Sequence, residues 1–161
     1  MSANPPARSR SRRKPEPIER ISADALILAD GAQVADGKLY ILGGGWDVIR
    51  LGSPAEPIPV FALAFRIVIP WNLTNEDIAV EIQIVDPDGA TLLGDDPPVV
   101  RTKVGRPPNL ESGVSQALPF AMTFQNFPFP KSGQYFVRLR EGERDLNQYR
   151  FSVVFLNNPA T

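Results

Sequence analysis

The chain has no histidine and no cysteine among its 161 residues. Without imidazole there is no side chain that ordinarily titrates near neutrality. Without thiol there is no cysteine nucleophile, disulfide or Cys/His zinc site. Ser22, Ser53, Ser112, Ser115, Ser132 and Ser152 therefore have no histidine to activate them, and Lys38, Lys103 and Lys131 stand outside any Ser-x-x-Lys spacing. A carboxylate pair could still hydrolyse a glycosidic bond, but it needs a concave cleft that a small β-domain has little wall to build. The expectation is a protein that is not an enzyme and carries no cofactor.

Long apolar runs are also missing. The stretch Ala25 to Ala29 falls short of the 7 to 15 or so residues of a signal-peptide core. Arg12-Arg13 is followed by Lys14-Pro15-Glu16 rather than by the apolar segment of a twin-arginine signal. No membrane segment is expected, and the default location is cytoplasmic. The 17 prolines are roughly twice the usual share of about 5% and sit mostly between apolar runs, which argues against long helices.

What the chain does have is an uneven charge distribution. The first twenty residues carry six basic side chains against two acidic ones, leaving eleven basic and sixteen acidic residues in the remainder. Residues 1–20 are read as a disordered tail rich in Pro, Arg and Ser, with too little apolar area to offset chain entropy. Its Arg8, Arg10, Arg12, Arg13 and Lys14 have the composition of an arm for nucleic acid or another anionic surface. The plainer reading is a solubilising leader. No aromatic residue is interleaved with these charges to stack on bases.

From residue 21 to 161 the apolar pattern has period two. Phe61, Leu63, Phe65, Ile67 and Ile69 form one row; Ile78, Val80, Ile82 and Ile84 a second; Leu118, Phe120, Met122 and Phe124 a third. Tyr135, Val137 and Leu139, then Tyr149, Phe151, Val153 and Phe155, complete the set. Such rows line one face of a strand. Turn residues separate them at Asp30-Gly31, Asp36-Gly37, Gly43-Gly44-Gly45, Asp86-Pro87-Asp88-Gly89, Pro107-Pro108-Asn109, Lys131-Ser132-Gly133 and Glu141-Gly142. Seven to eight strands so spaced predict an all-β, antiparallel β-sandwich, immunoglobulin-like or a related Greek key, forming a single domain. A small closed barrel is the alternative.

Gly133-Gln134-Tyr135-Phe136-Val137 resembles the Gly-x-Tyr-x-Cys segment of immunoglobulin-like domains, with Val137 in the cysteine place and Tyr135 in that of the tyrosine-corner residue. A broader resemblance rests on Ala23-Asp24-Ala25, the run Gly37-Lys38-Leu39-Tyr40-Ile41-Leu42-Gly43-Gly44-Gly45-Trp46-Asp47, Ile69-Pro70-Trp71, Asn75 and Asp86-x-Asp88-Gly89. These residues are similar to a family of small uncharacterised bacterial single-domain β-sandwich proteins. The resemblance implies a bacterial, stand-alone domain and transfers no catalytic residue.

The triple glycine before Trp46 lacks the Lys-Ser or Lys-Thr and the helix of a phosphate loop, so it reads as a bulge or a close backbone approach. Asp86, Asp88, Asp95 and Asp96 are the candidate ligands for calcium, which needs six to eight oxygens. The same residues also make ordinary turns, the preferred reading. Trp46 and Trp71 are expected to pack at the core or its edge.

The strand from Val60 to Ile69 is apolar on both faces apart from Arg66, so something should cover its outer side. Val60, Ala62, Ala64 and Val68, with Phe136 and Val154, are the candidate interface residues. The occupants considered are a second copy, a protein partner or the chain's own Pro-rich segment from Gly94 to Pro108. The leading expectation is a non-catalytic sandwich that works through protein contacts, self-association first. Its alternatives are a nucleic-acid or anionic-surface binder using the basic arm, and a calcium-dependent or carboxylate-based enzyme.

Overall fold

A computed structural model describes residues 19–156. Eight strands form two facing sheets, and two more form a separate hairpin. The strands are β1 (Ser22–Ala29), β2 (Gly31–Ala35), β3 (Lys38–Leu42), β4 (Val48–Leu51) and β5 (Ile58–Ile69), then β6 (Ile78–Val85), β7 (Val99–Thr102), β8 (Gln116–Phe127), β9 (Gly133–Glu141) and β10 (Arg144–Phe155). A single 3₁₀ turn at Trp71–Leu73 is the only helical element among the described residues.

One sheet has the order β1-β5-β8 and the other β4-β10-β9-β6-β7. Strands β5 and β8 pair in the first sheet while β6 and β9, their sequence neighbours, pair in the second. The chain thus crosses between the sheets in Greek-key fashion, as in immunoglobulin-like sandwiches. All pairings are antiparallel except that of β4, which runs parallel to β10 with Val48 beside Ser152 and Leu51 beside Phe155.

The period-two rows meet in the middle. Phe61 stacks on Phe124 at 4.9 Å between ring centres, Phe65 on Phe120 at 5.5 Å, and Tyr135 on Phe151 at 5.6 Å. Phe129, buried in the loop between β8 and β9, touches Phe61 from one sheet and both Tyr135 and Phe151 from the other. Stacked and edge-on aromatic pairs of this kind add about 0.5–1.5 kcal/mol each beyond their buried area. Tyr135 stands where a tyrosine corner would place it: its hydroxyl donates to the carbonyl of Lys131, four residues upstream, at 2.8 Å. Val137, two residues on, is buried in the place of a cysteine.

The outer face of β5 has its cover inside the chain. Strands β2 and β3 form a hairpin that folds back over the three-stranded sheet, β2 packing on β5 and β8, and β3 on β8. Ala29, Ala62 and Ala64 lie fully buried, and the pairs Ala29↔Ala62 and Ala64↔Ala121 place small side chains next to one another across the sheet. Small residues allow a close approach here. The expectation that Ala62 and Ala64 meet a second copy is therefore corrected, because neither is accessible in a single chain. The covering element is the hairpin rather than the segment from Gly94 to Pro108.

The triple glycine belongs to the same device. It is a loop between β3 and β4, not a bulge within one strand. Gly44 passes so near β1 that a Cβ there would lie 2.6 Å from the Ile41 side chain and 3.3 Å from that of Ile27. The amide of Gly45 donates to Leu28 and that of Asp30 to Gly43, pinning the base of the hairpin to the end of β1.

Candidate functional site

Five registered pairs from Gly31↔Leu42 to Ala35↔Lys38 define the hairpin, and Asp36 and Gly37 turn it with positive φ at both positions. Asp-Gly is the expected chemistry for such a reversal. Val34, Leu39 and Ile41 share one face of the hairpin and Tyr40 and Leu42 the other, so that large apolar side chains reach solvent from both. Val34, Tyr40, Ile41 and Leu42 are all exposed, Leu42 by 74%. A shallow cavity of about 380 Å³ opens beside them, lined by Gly31, Ala32, Gln33, Tyr40, Ile41 and Leu42. No strand continues the hairpin on either side, so its outer backbone groups are unpaired by any other strand among the described residues.

The remaining interface candidates are scattered. Val60 is exposed and Val68 half-buried on the outer side of the three-stranded sheet, whereas Phe136 is half-buried and Val154 exposed on the outer side of the five-stranded one. They do not make one surface. The exposed residues of the hairpin were missed in sequence. The signal available was Leu39-Tyr40-Ile41-Leu42, four large apolar residues in succession beside a two-residue turn, a run that leaves one row without cover in a two-stranded element.

The aspartates divide as well. Asp86 is buried, and its Oδ1 accepts the amides of Asp88 at 2.9 Å and Ala90 at 2.8 Å, closing the turn after β6. Its Oδ2 lies 3.0 Å from Lys131 Nζ, which also reaches the Asp88 carboxylate. Burial alone would raise the Asp86 pKa; the two amides and the ammonium outweigh it and hold the carboxyl below its ordinary value. Lys131 is held above its ordinary value, first by Asp88 and then by Asp86. The lysine thus already supplies a positive charge beside this carboxylate pair. Asp95 and Asp96 are exposed, and among the described residues no group of three or more acidic side chains gathers where a metal could sit. Arg8, Arg10, Arg12, Arg13 and Lys14 lie outside the described residues.

Trp46 packs edge-on to Phe61 at 6.4 Å, with its indole Nε1 buried and lacking a hydrogen-bond partner among the described residues. Trp71 is half-buried, with the Arg106 guanidinium 4.7 Å from its ring centre. Trp46 packs at the margin of the core.

A family model described as a family of unknown function, DUF6941, matches residues 24–154, from within β1 to within β10. The chain belongs to DUF6941. No curated protein matches it. Among solved structures, this DUF6941 protein is similar to an immunoglobulin-like protein from Pseudomonas aeruginosa, at 14% identity and a TM-score of 0.41, over 84% of this chain and 98% of that one. It is also similar to an alkylpurine DNA glycosylase from Pseudomonas fluorescens, solved bound to DNA containing an abasic site analog, at 14% identity and a TM-score of 0.38. That alignment covers 83% of this chain and 30% of the glycosylase. No helix among the described residues of the DUF6941 chain is long and apolar enough to cross a membrane.

Proposed function

We propose that this protein is a non-catalytic module that acts through protein contacts, and that the contact is self-association through the β2–β3 hairpin. The observation that carries this reading is the exposure of Val34, Tyr40, Ile41 and Leu42 on a hairpin with no neighbouring strand. An isolated two-stranded ribbon is marginal in water, and three or more strands with an apolar face are far more stable. Antiparallel pairing of β3 with the β3 of a second copy, centred on Tyr40, would join two hairpins into four strands. Leu39 would then face Ile41 of the partner, and the contact closes on itself by a two-fold axis. Lys38 is the only charged side chain on β3, so no row of like charges opposes the pairing.

Analytical ultracentrifugation of the full chain tests this. The wild type should dimerise in the micromolar range, and Leu42→Glu should be a folded monomer with a thermal melt within a degree or two of the monomeric domain's own. A wild type that stays monomeric at several hundred micromolar, or a Leu42→Glu variant that dimerises unchanged, would reject the reading.

A further inference from the structure

The five-stranded sheet turns an arginine-rich surface outward, and sequence order conceals it. Arg50 on β4, Arg150 on β10, Arg138 and Arg140 on β9, and Arg101 on β7 alternate with the buried rows of their strands, so that all five stand on one face. They are five of the eleven basic residues that follow the first twenty, in a segment holding sixteen acidic ones. Only Glu81 and Asp145 among the strand residues bring negative charge to this face, at the Glu81↔Arg140 and Arg140↔Asp145 pairs. Arg140 is held by Asp145 at 2.9 Å, while Arg50, Arg101, Arg138 and Arg150 form no ion pair among the described residues. Phe136 lies within the group: it pairs with Arg150 across the strands, and the Arg138 guanidinium stands 5.8 Å from its ring centre.

We infer that this face binds single-stranded nucleic acid, its arginines on successive phosphates and Phe136 beneath a base. Three features favour that occupant. The cations are all arginine, whose planar fork matches phosphate oxygens in pairs. Arg138 and Arg140, alternate residues of β9, stand about 6.8 Å apart along the strand, a spacing comparable to that between phosphates of an extended strand. The aromatic ring set among guanidinium groups supplies the stacking that single strands use and that a duplex, with its bases paired, cannot reach. The inference is independent of the hairpin, which belongs to a different sheet.

Fluorescence anisotropy of the full chain with a labelled oligothymidine of about twelve nucleotides provides the test. Four neutralised phosphates give a log–log salt slope of roughly −3, or a loss of roughly fiftyfold between about 50 and about 200 mM salt. Arg138→Gln with Arg150→Gln should weaken binding at least tenfold and flatten that slope by roughly one unit. Its melting temperature should match the wild type, since both side chains point away from the core. Leu42→Glu should bind as the wild type does. Unchanged affinity in the double variant would place the binding elsewhere, as in the basic residues 8–14, and overturn the inference. So would a chain that ignores the oligonucleotide, whether it binds polyglutamate instead, which would mark an acidic protein partner, or binds neither.

Discussion

The hydroxyl of Tyr135 and the carbonyl of Lys131 are joined at 2.8 Å, and through that residue the corner of the sandwich is tied to the turn after β6. Lys131 turns its backbone to Tyr135 and its ammonium to Asp86. A ring buried between the sheets and a carboxylate at the end of β6 thus hold the same loop from two sides.

Tyr135→Phe keeps the ring stack with Phe151 and removes only the donor. The variant should lose about 1–2 kcal/mol, the cost of leaving a part-buried carbonyl without its partner. Urea denaturation should show a lower midpoint with an unchanged slope. A midpoint equal to that of the wild type would mean that water replaces the hydroxyl.

The Asp86 carboxyl titrates below its ordinary value in the folded state, so the unfolded chain binds the proton more readily. Its contribution to stability is complete above the unfolded pKa of about 3.9 and is lost as pH falls from there through the lower folded value. Asp24, held down chiefly by its two-pronged bond to Arg66, acts in the same direction. Asp86→Asn should make the acid limb of a stability-versus-pH curve shallower, while Asp24→Asn, at an exposed pair, should change it less. Equal curves for Asp86→Asn and wild type would show that the group does not titrate differently on folding.

Ala62 sits fully buried beneath the hairpin. Ala62→Leu should destabilise by about 1–3 kcal/mol, because a larger side chain must lift β2 from the sheet. Proteolysis within residues 31–42 should quicken in the variant. A solvated outer face would tolerate the change within about 0.5 kcal/mol.

Ala25 has φ +52° at the point where the β1–β5 register shifts between Asp24 and Ile27. Glycine carries no penalty for that backbone but a larger unfolded-state entropy. Ala25→Gly should therefore be stabilising by up to about 1 kcal/mol, read as a rise in melting temperature. A fall would show that the alanine methyl makes packing worth more than the strain.

The long strands were legible because each turns a complete row of large apolar side chains toward the core: β5, β6, β8, β9 and β10 follow the period-two pattern, and Tyr135 falls at its corner. Short β4 and β7 left no such row, since four residues offer only two positions per face. The cover over Ala62 and Ala64 was foreseeable as a need but not as an element, because Leu39 to Leu42 does not tell which other strand it will lie on. Arg50 and Arg150 are 100 positions apart in sequence and join one surface only through the parallel pairing of β4 with β10. Lys131 meets Asp86 in the same way, through a register that local pattern does not encode.

That parallel pairing also governs when the domain can fold during synthesis. Strand β10 lies inside the five-stranded sheet, between β4 and β9, rather than at its edge. Until residues near Phe155 leave the ribosome, β4 has no partner and β9 exposes one side of its backbone. The nascent chain must therefore keep long apolar strands from pairing wrongly until β10 has emerged. Such late closure over long sequence separation makes folding slow and leaves unpaired edges open to aggregation, the more so for any chain stopped short of β10.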